Sequence, residues 1–188
     1  MSSSNQTHEP LAAGQWNATS TVEPQWYAIH TRSQHEKSVS AQLQDQGITT
    51  FLPLVTELHR WSDRRKLVQL PLFSCYTFVH IPLVPELWAK VLRAGGVLRF
   101  VGVRGQGIPI PEKQIDSIRT LLGVNAPYVL CPFLKVGQHV RVRGGALDGI
   151  EGILVSRNGD RTLVISVEPI QRSLAVQLGD YQVEPTRS

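Results

Sequence analysis

Two stretches concentrate side chains able to meet a phosphate or an exposed base. His59-Arg60-Trp61-Ser62-Asp63-Arg64-Arg65-Lys66 places five basic or potentially basic residues among eight, around one indole. Lys and Arg neutralise phosphates, and a Trp ring stacks on an unpaired base. A solvated loop with no partner is the competing reading of the same string. The second group is His30, Arg32, His35 and Lys37. It suits a face that contacts phosphate, or plain solvent exposure. Trp61, Arg64, Arg65, Arg32, His35 and Lys37 are therefore the candidate nucleic-acid contacts.

Catalysis is not expected. A histidine base needs a nucleophile within reach and an acid that orients it. No such motif surrounds His30, His35 or Cys75. The two cysteines, Cys75 and Cys131, form no CxxC pair and lie in no Cys/His cluster of metal-ligand spacing. They read as reduced thiols, and neither metal nor cofactor is expected. The run from Gly102 to Gly107 is glycine-rich, but Ile108-Pro109-Ile110-Pro111 follows it and no Gly-Lys-Ser/Thr does. It reads as a loop between a strand and a helix, not as a phosphate cradle.

The chain has 188 residues, 41% of them hydrophobic, and a net charge of +4. Charge is unevenly spread. Residues 1–24 carry Glu9 and Glu23 and no Lys or Arg, whereas residues 25–122 carry twelve Lys/Arg against seven Asp/Glu. A polyanion would land on that middle segment. Residues 1–24 are rich in Ser, Thr, Asn and Gln and read as a disordered tail. They lack the regions of a signal peptide, and no stretch is long and apolar enough for a membrane span, so a cytoplasmic protein is expected.

The elements that must position these residues are legible from periodicity. Gln25 to His30 reads as a strand. Ser33-Gln34-His35-Glu36 forms an S-x-x-E capping box, with Glu36 reaching back to the cap, ahead of a helix near 34–46 that ends at Gly47. Thr49 to Leu54 is a short apolar run. Val55 to Arg60 and Lys66 to Leu70 flank the polar loop and suggest a hairpin. Cys75 to His80 is a strong strand. Helices follow from Pro85 and from Pro111, with a strand over Val97 to Val103 between them. Strands interleaved with helices imply an α+β sandwich. Residues 123–134 hold Pro127 and Pro132 without a clear period and read as a linker. Beyond them, five short stretches alternate at period two, and Asn158-Gly159 between two of these is a hairpin signal. That is the size of a small closed β-barrel.

Several strings, taken in order, resemble one family. Trp26-Tyr27-Ala28-Ile29-His30-Thr31-Arg32 with His35-Glu36-Lys37 resembles the opening of the NusG amino-terminal (NGN) domain. Phe51-Leu52-Pro53, Arg60-Trp61-Ser62-Asp63-Arg64 and Leu70-Pro71-Leu72-Phe73 followed by Tyr76-Thr77-Phe78-Val79 stand at the family's spacing. Gly96 to Gly102 and Ile108 to Pro111 do so too. The second part is similar to a KOW domain, through Val136 to Val142 and Gly145 to Gly152. Two departures stand out. Ser74-Cys75 replaces the usual Pro-Gly, and Gly145-Ala146-Leu147 replaces Gly-Pro-Phe. The stretch Ser166 to Val176 looks closer to specialised RfaH-like and polysaccharide-operon antiterminators.

The resemblance implies an NGN-type α/β sandwich over 25–122, the linker 123–134, and a five-stranded KOW (SH3-like) β-barrel over 135–188. It implies a non-enzymatic transcription elongation and antitermination factor that binds the β′ clamp helices of RNA polymerase. Phe73 and Tyr76 match the apolar patch that does so, with Trp26 supporting it, and the three are the polymerase-binding candidates. Arg32, His35, Arg64 and Arg65 match positions near the non-template DNA strand or polymerase loops. The KOW loop, with Gly145, Leu147 and Gly149, would meet Rho, a small-subunit ribosomal protein or nascent RNA. A monomer is expected. The alternative is a stand-alone KOW-type RNA-binding or ribosome-associated protein.

Overall fold

The computed structural model describes residues 23–60, 65–103, 106–124, 126–133, 137–157 and 160–186. The expected amino-terminal tail, Trp61, Arg64 and the Asn158-Gly159 turn lie outside these residues.

Antiparallel pairing builds the first half. Its elements are β1 (Gln25–Thr31), α1 (Glu36–Asp45), β2 (Thr49–Phe51), β3 (Leu54–Arg60), β4 (Arg65–Pro71), β5 (Tyr76–Ile81), α2 (Pro85–Arg93), β6 (Val97–Phe100), β7 (Gly102–Val103), β8 (Gln106–Gly107), β9 (Pro109–Ile110) and α3 (Glu112–Gly123). The main sheet runs β2-β5-β1-β6, with β9 also on β1; β3–β4 and β7–β8 are separate two-stranded ribbons. Side chains of a strand alternate between faces. Tyr27, Ile29, Val79, Ile81 and Phe100 thus face one way and pack with Val39 and Leu43 of α1 and Val91 of α2. Trp26, Ala28 and Phe78 face the other way, toward Ile115, Ile118 and Leu121 of α3. Both faces are covered, so the sheet is the middle of a sandwich.

One expected detail differs. The helix starts at Glu36, its cap residue is His35, and no side chain caps it. The reason is upstream. Gln34 is left-handed at φ 64°, and the His35 N–H closes a turn onto Arg32 O at 3.1 Å. Glu36 then lies in the first turn and points to a different backbone, described below.

The second half holds β10 (Tyr128–Pro132), β11 (Gln138–Arg143), β12 (Glu151–Arg157), β13 (Asp160–Val167), β14 (Arg172–Gln177) and β15 (Gln182–Pro185). Their order in the sheet is β10-β14-β13-β12-β11-β15. The five alternating stretches are present, and β12 and β13 stay in register to Arg157–Asp160 on either side of the expected turn. The sixth strand is the correction. Part of the segment read as a linker pairs with β14 from Tyr128–Val176 to Pro132–Arg172. Prolines disguise it, yet an edge strand tolerates a residue without an N–H.

The two halves dock through α3. One continuous core joins Trp26, Phe78, Ile115 and Ile118 to Val140, Val142, Ile150 and Leu163. At its margin Lys113 Nζ of α3 pairs with Glu151 Oε1 of β12 at 3.2 Å, and Arg141 Nε also donates to that oxygen at 2.9 Å.

Candidate macromolecule-binding face

Three neighbouring strands bring three chemically distinct groups into one row. Tyr76 of β5 stands opposite His30 of β1, and His30 stands opposite Arg99 of β6. Residues in register on adjacent strands share a face. The Tyr76 and His30 rings are 5.3 Å apart and tilted by 40°. Both are half-buried and Arg99 is exposed. The row offers an aromatic ring, an imidazole and a guanidinium to whatever lies above.

Arg32 extends this end of the sheet. It is exposed, and its N–H donates to Gly96 O at 2.8 Å. His35 packs against the same loop. A Cβ on Gly96, at φ 104°, would stand 3.0 Å from His35 Cβ. Arg32 and His35 therefore meet at the loop before β6, with His35 on the α1 side of the sheet. Lys37 is tied elsewhere, since its Nζ donates to Gln69 O of the β3–β4 ribbon at 2.7 Å. Arg65 opens β4 opposite Arg60, apart from the row.

The expected aromatic patch is only partly at the surface. Trp26 is 3% exposed. It stacks on His80 at 4.8 Å, and the Arg119 guanidinium of α3 lies 5.0 Å from its ring centroid. It is a support beneath α3. Phe73 is also 3% exposed, set edge-on to Phe78 at 6.2 Å. It lines a cleft whose far wall is Leu130, Cys131, Phe133 and Arg172 of the second half. Of the three aromatic candidates, Tyr76 alone keeps partial exposure in this docked arrangement.

In the loop between β11 and β12, Gly145 and Gly149 have φ of 68° and 82°, and Asp148 Oδ1 accepts the Gly144 N–H at 2.7 Å. A Cβ on Gly145 would sit 2.7 Å from the Tyr181 ring. Leu147 is buried in the shared core, so in the docked form it packs inward. Among the described residues no helix is long and apolar enough to cross a membrane.

A family model described as "Transcription termination factor nusG" matches residues 24–119, just over half of the chain. The chain belongs to the NusG family. The "Transcription termination/antitermination protein NusG" of Borreliella burgdorferi is 26% identical over 180 residues, covering 85% of this chain and 97% of that protein. The NusG of Lactococcus lactis is 28% identical over 172 residues, covering 85% and 91%. A solved structure titled "Domain interaction in Thermotoga maritima NusG" aligns with a TM-score of 0.47 at 19% identity, covering 85% of this chain and 97% of that one. NusG membership makes this chain a transcription elongation and antitermination factor of a non-enzymatic family.

Arg99 is the member of the row that the sequence does not single out. It stands in a strand run, Val97 to Val103, whose outward positions cannot be told from inward ones until the register with β1 is known. The alternation itself was the available signal.

Proposed function

We propose that this chain binds RNA polymerase through the Tyr76 face and suppresses pausing or termination during elongation. The row Tyr76-His30-Arg99 carries the reading. An aromatic group beside a guanidinium is the composition of interface anchors, and no catalytic apparatus competes for the same residues. The β′ clamp helices are the partner surface that family resemblance favours. Phe73 and Trp26 act from below, Phe73 becoming available when the second half lifts from the 73–76 turn. Arg32, His35, Lys37, Trp61, Arg64 and Arg65 are assigned to the non-template strand, nascent RNA or nearby polymerase loops. The released barrel, residues 135–188, would take a second partner through its Gly145–Gly149 loop: Rho, a small-subunit ribosomal protein or RNA. We read the protein as a cytoplasmic monomer, on the specialised antiterminator side of the family.

In vitro transcription on a template with a known pause and terminator tests this. The expected outcome is shorter pause dwell and more read-through with the protein present. Unchanged dwell and read-through, together with tight RNA binding in the absence of polymerase, would favour the stand-alone RNA-binding reading.

A further inference from the structure

The turn Phe73-Ser74-Cys75-Tyr76 delivers Tyr76 to the row, and its third residue is held in a conformation that its side chain disfavours. Cys75 has φ 69°. A Cβ makes this left-handed region unfavourable, which is why glycine usually occupies it. Two long-range bonds hold the turn. Glu36 Oε1 accepts the Cys75 N–H at 2.7 Å across 39 residues of sequence. Cys75 O accepts the N–H of Thr31, the neighbour of His30, at 2.9 Å. Glu36 is 3% exposed and opens α1, where the helix terminus favours a negative charge. A carboxylate accepting a backbone N–H makes one of the stronger hydrogen bonds available to a protein.

We propose that Glu36 is a positioning residue for partner binding. It clamps Cys75 in the left-handed region and so sets Tyr76 against His30 and Arg99. The proposal rests on the reading that this face takes RNA polymerase. It assigns to Glu36 a task different from the helix cap its sequence position suggests. It also explains how a residue with a side chain serves where the turn geometry suits glycine: a carboxylate from another element holds the backbone there.

The test compares affinity for core RNA polymerase across the wild type, Glu36→Ala, Glu36→Gln, Cys75→Gly and the double variant Glu36→Ala/Cys75→Gly, well below each melting temperature. Glu36→Ala is expected to weaken binding by about tenfold, the loss of one strong hydrogen bond. Glu36→Gln keeps an acceptor oxygen and stays within about threefold of wild type. Cys75→Gly adopts the positive φ unaided, so the double variant recovers most of the loss. The His30–Tyr76 proton cross-peak, read by NMR in the same proteins, should vanish in Glu36→Ala and return in the double variant. Full affinity in folded Glu36→Ala would overturn the proposal, as would a double variant no better than the single one. If wild type itself fails to bind polymerase, the functional reading falls, and the cross-peak series then decides the positioning claim separately. Should Glu36→Ala not fold, the double variant decides: polymerase affinity near wild type is expected of it, and a folded double variant that binds about tenfold more weakly would overturn the proposal.

Discussion

At the scale of single residues, the aromatic candidates divide into support and contact. Phe73 is 3% exposed and packs edge-on to Phe78, so truncation leaves a cavity. Phe73→Ala is expected to cost about 3–5 kcal/mol of stability by denaturant unfolding, as large-to-small changes at buried aromatic sites do. Tyr76 is half-buried, so Tyr76→Ala should cost less stability and lose more polymerase affinity. The opposite ranking in both measurements would transfer the contact role to Phe73. Gly145 illustrates a different constraint. Its φ is 68°, and a Cβ there would stand 2.7 Å from Tyr181. Gly145→Ala should therefore destabilise the barrel by about 1–3 kcal/mol in a thermal melt.

At the scale of elements, the β3–β4 ribbon and α3 do opposite things. The ribbon is held to α1 by Lys37 on Gln69 O and pairs within itself out to Arg60–Arg65. It exposes Leu58 and Leu67, which face each other across the two strands. An amphipathic ribbon with cationic residues at its end suits a polyanion surface. Arg64→Ala with Arg65→Ala should lower the salt dependence of binding to an elongation complex, each lost phosphate contact reducing the slope by about 0.7–0.9. An unchanged slope would remove the ribbon from any nucleic-acid interface. Helix α3, by contrast, is covered on both sides. Ile115, Ile118 and Leu121 pack into the core, and Lys113 reaches β12. Strand β10 adds to this closure, since it leads from α3 straight onto the edge of the second sheet.

At the scale of the whole molecule, docking sets which surfaces are free. The Lys113–Glu151 pair lies at the junction of the halves. Burial pushes the Glu151 carboxyl up, but hydrogen bonds and charge from Arg141 and Lys113 outweigh it and hold the group below its ordinary value. A lowered carboxylate stabilises the folded form above the unfolded value of about 4.3 and loses that contribution as pH falls through the folded value. The stability of the folded chain should therefore hold from pH 7 to about 5 and fall below about 4, as followed by denaturant unfolding at each pH. Lys113→Glu sets like charges against each other at the junction. Lys113 is well exposed, so the effect is modest: polymerase affinity should rise by up to about fivefold as the halves separate. A fall in affinity would show that docking assists binding.

How much of this was legible depends on whether the signal is local. Period-two and period-3.6 patterns, Pro85 and Pro111 at helix starts, and Gly47 after α1 are written in neighbouring residues, so the sandwich, the barrel strands and the family strings could be read directly from the chain. The strand at 128–132 was hidden because its evidence is the partner β14, at least forty residues away. The same is true of the site. His30, Arg32 and Tyr76 were visible as residue types, but Arg99 joins them only through strand register. Glu36 looked like a cap because Ser33 stands three residues before it; the fold gave it Cys75 instead. Burial of Trp26 and Phe73 was undecidable from sequence, because an aromatic side chain looks the same whether α3 and the barrel cover it or solvent does. Local geometry is fixed by short-range sterics and hydrophobic period, whereas exposure, register and long-range hydrogen bonds arise only when distant segments meet.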